Sequence, residues 1–263
     1  MNSPFRPVAD EIRRIAAAGF EFVDLTLEPP GAWPVETEEI RALLDETGLG
    51  VVGHTAFYAP IASPFPALRA AGRAVLVEAF DVFGAIGATR VNVHPDPVTR
   101  SYPRADVIAR NAEAVAELAE AAGARGLVLM VENLGPVFGT VADLTPLIEA
   151  HPDVRFHLDI AHAHLGGERT LELLTAFGER LAHVHASDNF GVDDLHLPLG
   201  AGSVDWADVI WGVKGTGYDG TVTLEVFSVE LRHVETSRRL WREWWDAAPA
   251  GDRHGSSAES GSP

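Results

Sequence analysis

The 263-residue sequence predicts an α/β fold, and within that class a (β/α)8 barrel. Three observations carry the prediction. Short apolar, strand-like runs alternate with longer helix-like segments. Glycines punctuate the helical stretches, as in AAAGF, ETGLG, GAIGA and AAGARG, and Gly is the usual residue just past a helix C-terminus. Six of the apolar runs end in a residue able to bind a metal: VVGH in His54, TRVNVH in His94, LVLMVE in Glu132, VRFHLD in Asp159, LAHVH in His185 and TVTLE in Glu225. A barrel of parallel strands brings such ends together at one mouth. An open doubly wound sheet is the alternative, and it gathers strand ends from the whole chain less well.

Taken in order, residues 7–18 (PVADEIRRIAAA) read as a first helix, so a strand is expected before it at residues 1–5. MNSPF is a poor strand, and the first strand is therefore expected to be short or truncated. Further strands are expected at 21–27 (EFVDLTL), 49–54, 89–94, 127–132, 154–159, 181–187 and 221–227, with helical patterns at 67–86 and 104–122. A last helix at about 228–247 carries Trp241, Trp244 and Trp245. Their expected role is packing against the barrel wall, with a homo-oligomer contact as the alternative. The barrel domain thus spans 1–247. Residues 248–263 are small and polar and are expected to be a disordered tail, so His254 is not a site residue.

Composition narrows the function. A hydrophobic content of 46% suffices for a sizeable core, and no apolar run is long enough to span a membrane. The N-terminus lacks an apolar signal region, so a cytoplasmic location is expected. The absence of cysteine removes disulfides, thiolate metal sites and cysteine nucleophiles together. Any metal site must use His, Asp and Glu. A net charge of −18 argues against nucleic acid as a partner without excluding it, since a local basic groove can sit on an acidic protein. Lys214, the only lysine, lies in a helix end and turn before a strand. That is the wrong end of a strand for a Schiff-base lysine in a barrel.

The chemistry-bearing residues are acids and imidazoles, a combination suited to divalent metals. Glu132 and Glu225 each follow an apolar run, where a carboxylate is costly to bury unless it is paired or metal-bound. Two carboxylates on one metal can also serve as acid and base on opposite faces of a substrate. Asp159 and His162, in LDIAHAHLGG, can reach a common pocket; the plainer reading is that Asp159 caps the next helix. His183 and His157 share the inward parity of His185 and Asp159 one layer deeper, and are expected to support them. His164 and His151 are expected at the surface or at helix starts. In DDLHLPLGAGSVDW, Asp194 and His196 either clip a metal from the loop side or belong to an ordinary turn, and Asp205 is expected to cap the helix near Trp206.

VENLG, LDIAHAHLGG and HVHASDN…DLHLPLGAGSVDW together resemble the xylose-isomerase-like TIM barrel superfamily over roughly residues 5–245. That family holds sugar and sugar-phosphate isomerases and epimerases, and endonuclease-IV-type AP endonucleases. The resemblance implies a divalent metal (Mn, Co, Mg or Zn) at the C-terminal mouth. In the epimerase branch one metal is held by positions matching Glu132, Asp159, His185 and Glu225, and His162 matches a substrate-side histidine. The reaction implied is proton transfer beside a metal-polarised carbonyl of a small carbohydrate. In the endonuclease branch up to three zinc ions take nine ligands, matching His54, His94, Glu132, Asp159, His185, Glu225, His162, Asp194 and His196. In a one-metal site His54 and His94 would contact substrate instead. The loops favour the first branch. EPPGAWPVET, TAFYAPIASPFP, NLGPVFGTVAD and ASDNFGVDD carry no positive charge, and only Arg100 and Arg104 follow the third run. Trp33, Phe57, Tyr58 and Phe138 suit the walls of a polyol pocket better than a DNA-bending surface.

Overall fold

The computed structural model describes residues 1–249 apart from 4, 35, 98–101 and 136. Its elements follow one another as α1 (Val8–Ala17), β1 (Phe22–Thr26), α2 (Thr37–Thr47), β2 (Gly50–His54), α3 (Pro66–Ile86), β3 (Arg90–Val93) and α4 (Arg104–Gly123). Then come β4 (Val128–Glu132), α5 (Val141–Ile148), β5 (Arg155–Asp159), α6 (Ile160–His164), α7 (Thr170–Phe177), β6 (Leu181–Ala186), α8 (Trp206–Gly215), β7 (Val222–Leu224) and α9 (Leu231–Ala247). The glycines read as helix stops act as such: Gly48 and Gly87 follow α2 and α3 in the left-handed conformation, at φ 71° and 92°.

The strands form one parallel sheet in sequence order, β1 to β7, curled into a nearly closed barrel with helices outside. Every strand expected from residue 21 onward is present. The strand expected at residues 1–5 is not: among the described residues nothing pairs as a strand between β7 and β1. Asn2 supplies one rung there. Its backbone N–H donates to Asp24 O at 3.2 Å, and its side-chain amide accepts from Thr26 N at 2.6 Å and donates to Thr26 O at 3.2 Å. The backbone then leaves the sheet at Ser3, whose N–H donates to buried Glu11 Oε2 at 3.0 Å. On the β7 side the seam is bridged by Thr223 Oγ1, which donates to Asp24 Oδ2 at 2.9 Å.

The core fills the space between barrel and helices, with Phe80, Phe83, Phe138 and Phe156 wholly buried. Phe138 therefore belongs to the core and not to a pocket wall. The other three aromatics of the same set divide: Trp33 packs against the core, while Phe57 and Tyr58 remain exposed. Arg104 is also engaged structurally. Its Nε donates to Asp143 Oδ1 at 3.0 Å and it reaches the Val137 carbonyl; Arg100 lies outside the described residues, as does most of the tail. No helix among the described residues is long and apolar enough to cross a membrane.

The tryptophans of α9 pack inward. Trp206 at the start of α8 stacks on Trp244 at 5.6 Å and meets Trp241 edge-on at 6.2 Å. Lys214 Nζ donates to the carbonyls of Trp245 and Ala248, closing the end of α9. Replacing Trp206 with alanine removes the centre of this stack and is expected to cost about 3–5 kcal/mol, read from urea unfolding.

Candidate metal centre

Parallel register assembles the floor of the mouth. Glu132 on β4 stands beside His157 on β5, which stands beside His183 on β6; one step higher Asp159 stands beside His185. Glu225 follows the last residue of β7 and keeps the ladder going, its N–H donating to Ala186 O at 3.1 Å. Inward-facing positions recur every second residue, so β3, β5 and β6 each bring a ligand type at or next to the strand end and a polar supporting group two residues earlier: Asn92, His157 and His183.

Glu132 is only 1% exposed and is contacted on all sides. Its Oε2 accepts from Asn92 Nδ2 at 2.7 Å and lies 3.1 Å from His157 Nδ1 and 3.2 Å from His94 Nε2. Its Oε1 lies 3.4 Å from His162 Nδ1. Asp159 satisfies both of its sequence readings, one per oxygen. Oδ1 accepts from His162 N at 2.7 Å and caps α6. Oδ2 is buried without a hydrogen-bond partner, 3.6 Å from His162 Nδ1 and 3.9 Å from His185 Nδ1. His185 Nδ1 in turn lies 3.0 Å from Glu225 Oε2.

The loop after β6 closes the circle. Asp194 Oδ2 lies 3.1 Å from His162 Nε2 and 3.0 Å from His196 Nε2, and His196 Nδ1 lies 3.8 Å from Glu225 Oε2. His196 adopts φ 46°, a left-handed conformation uncommon outside glycine, so its placement is imposed by its surroundings. Buried Asp188 anchors the loop. Its carboxylate accepts from the backbone N–H of Asn189, Gly200 and Val204 and from Trp206 Nε1, at 2.8–3.2 Å. Two glycines of the recognised motifs allow close backbone approach. A Cβ on Gly135 would fall 2.2 Å from His162 O, and one on Gly202 would fall 2.3 Å from Asn189 O. Across the mouth, His54 lies parallel to His185 at 5.3 Å and tilted against His94 at 5.0 Å.

All nine candidate ligands therefore face one mouth. Asp205 caps α8 as expected, accepting from Ala207 N and Asp208 N. His164 bonds Glu168 and Ser203 at its edge. Sequence reasoning missed three supporting groups. Asp24 on β1 lies under His54, His183 and His185. Asn92 binds Glu132 and accepts from Thr55 N. Asn133 clamps the backbone of Asp159 in both directions at 2.8 Å and meets His162 Nδ1 through its carbonyl. Asn92 sits two residues before His94, as His183 does before His185; applying the same parity rule to it would have found it.

These groups fit a divalent cation. Glu132, Asp159 and His185 each offer an atom within 4.8 Å of the others, as do Asp24, His54 and His185. Buried polar atoms without a hydrogen-bond partner point the same way: Asp159 Oδ2, His94 Nδ1 and His196 Nδ1. The electrostatics of these groups follow from burial and from their mutual contacts. Burial pushes Asp159 up to about 7, with Glu225 and Glu132 adding to the effect and His162 opposing it. Burial also acts on Glu132, but His94 and His157 hold its carboxyl well below the usual carboxylate range. Glu225 is likewise raised by burial and then brought down to about 2 by His185, His196 and His54. Burial lowers His185 and His162, and the carboxylates beside them (Glu225 and Asp24; Asp159 and Asp194) more than reverse it, leaving both well above the imidazole range.

A pH dependence follows. Asp159 binds its proton more tightly folded than unfolded, so its contribution weakens as pH rises from about 4 to about 7. His185 and His162 stabilise fully below about 6.5 and lose that contribution as pH rises through their higher folded values. Burial lowers His157 and His183, and the stability they add with rising pH is largely in place by about pH 7. In thermal melts from pH 7 to 8, the chelator-treated protein is expected to lose stability with rising pH. With a saturating divalent cation the slope is expected to reverse, because metal binding displaces those protons.

Residues 12–248 match the family model for the xylose isomerase-like TIM barrel. The chain is 26% identical over 253 residues to ketose 3-epimerase of Arthrobacter globiformis, covering 89% of this chain and 83% of that protein. A 165-residue stretch is 30% identical to the uncharacterized protein MJ1311 of Methanocaldococcus jannaschii, covering 59% of this chain and 55% of that one. The crystal structure of a D-tagatose 3-epimerase-like protein superposes with a TM-score of 0.81 at 22% identity, covering 94% of this chain and 97% of the other. With its strand order and a family match over residues 12–248, the chain belongs to the xylose isomerase-like TIM barrel family.

Proposed function

We propose that this protein is a divalent-metal-dependent sugar or sugar-phosphate isomerase or epimerase. The observation that carries the reading is the placement of Glu132 and Glu225, from strands three apart, on either side of Asp159 and His185. The ketose 3-epimerase relative, aligned over 89% of the chain, supports it. Glu132, Asp159, His185 and Glu225 would hold the cation, which supplies Lewis-acid polarisation of a ketose carbonyl and its neighbouring hydroxyl. Glu132 and Glu225 carry protons on the two faces of the adjacent carbon. His162, fixed by Asn133 and Asp194, holds a substrate oxygen.

A second reading, phosphodiester hydrolysis by clustered zinc, is favoured by one feature. Asp194 Oδ2 lies 3.1 Å from His162 Nε2 and 3.0 Å from His196 Nε2, an acid between two imidazoles that offers the donors for a further ion. Elemental analysis separates the two: one ion per chain is expected for the epimerase, three zinc ions for the hydrolase.

In D2O with Mn2+ or Co2+, at least one member of a ketose panel is expected to exchange hydrogen at the carbon next to its carbonyl. Glu132→Gln and Glu225→Gln should each lower that rate by roughly 10²–10⁴-fold. Absence of exchange with every ketose, together with cleavage of an abasic duplex by the zinc-loaded protein, would overturn the proposal in favour of the second reading.

A further inference from the structure

We infer that Asp24 is a positioning residue of the metal centre: it fixes the tautomer of His185. The inference rests on the reading of His185 as a metal ligand and not on which reaction the site performs. Asp24 is 1% exposed, at the centre of β1, and its carboxylate lies under three imidazoles. Oδ2 is 2.6 Å from His185 Nε2, 3.0 Å from His183 Nε2 and 2.9 Å from the donating hydroxyl of Thr223. Oδ1 lies 3.7 Å from His54 Nδ1 and has no closer partner.

Asp24 meets Nε2 of His185, while Glu225 and Asp159 lie on the side of Nδ1, so Asp24 is an acceptor behind the ring and not a ligand beside it. The Asp24–His185 separation of 2.6 Å is that of a charge-assisted hydrogen bond. A proton held on Nε2 leaves Nδ1, 3.0 Å from Glu225 Oε2 and 3.9 Å from Asp159 Oδ2, as the nitrogen that would bind a cation placed between them. His183 completes the arrangement. Its Nε2 faces Asp24, while its Nδ1, 2.7 Å from Thr221 Oγ1, can accept that hydroxyl proton. The two rings over Asp24 that bound the mouth, His54 and His185, are parallel within 5°. One carboxylate of β1 thus holds two imidazoles of β6, on the side of the barrel where β1 and β7 share no ladder.

The test has two parts. In the wild-type protein loaded with zinc, long-range 1H–15N spectra of the histidine rings are expected to show His185 protonated at Nε2 and metallated at Nδ1. In Asp24→Asn, competition titration with a chromophoric chelator should show zinc affinity reduced by ~10–100-fold. Thr223→Val, which removes a seam hydroxyl but leaves the Asp24–His185 contact, should lower the melting temperature and leave zinc affinity within about twofold of wild type, separating positioning from general stability. Metallation of His185 through Nε2 overturns the inference even if Asp24→Asn does not fold. Unchanged zinc affinity in folded Asp24→Asn, or equal losses in both variants, also overturns it. A wild-type protein that binds no divalent cation overturns the metal reading beneath it.

Discussion

A carboxylate removed from water must find compensating positive charge or hydrogen bonds, or take up a proton. Asp24, Glu132 and Asp159 are each 1% exposed within one barrel mouth, and the rest of the site is organised around that cost. Asp24 is met by His183, His185 and Thr223, and Glu132 by His94, His157 and Asn92. Asp159 has only one oxygen served, by the N-terminus of α6, and it is the acid that burial pushes up to about 7. The unmet demand lies where Glu132, Asp159, Glu225 and His185 converge, the position a cation would stabilise most.

The fold meets this demand by alternation along each strand and register between strands. Ligand types sit at the strand ends, and their supports sit two residues earlier: Asn92 under His94, His157 under Asp159, His183 under His185. The loop that carries Asp194 and His196 gets its precision from a different device. Asp188 gathers four donors from a segment of 18 residues, so a long irregular loop is held as firmly as a strand. The outer Trp206–Trp244 stack ties that same loop to α9, linking wall packing to site geometry through the Trp206 indole.

Much of this was legible in the chain. Seven strands could be read from the spacing of apolar runs and the glycine helix stops, six of the nine mouth residues from runs that end in an acid or an imidazole, and His162, Asp194 and His196 from the loops that follow. Three features could not. A strand was expected at residues 1–5, but Asn2 makes its rung with a side-chain amide and the backbone turns away at Ser3. Phe138 was placed on the pocket wall because it follows Glu132 in the loop; the Leu134–Phe138 bridge folds it back into the core. Asp24 was passed over because it sits in mid-strand and not at an end.

By itself the sequence determined which residue types reach the mouth, because strand periodicity and helix stops are local properties of the backbone and side chains. Only the tertiary structure decided which atoms face one another. That Asp159 divides its two oxygens between a helix cap and the site, that Asp194 bridges two histidines, and that β1 lends a carboxylate to β6 across an open seam all depend on barrel closure and register. The longest of those contacts joins residues 161 positions apart, and no local pattern encodes it.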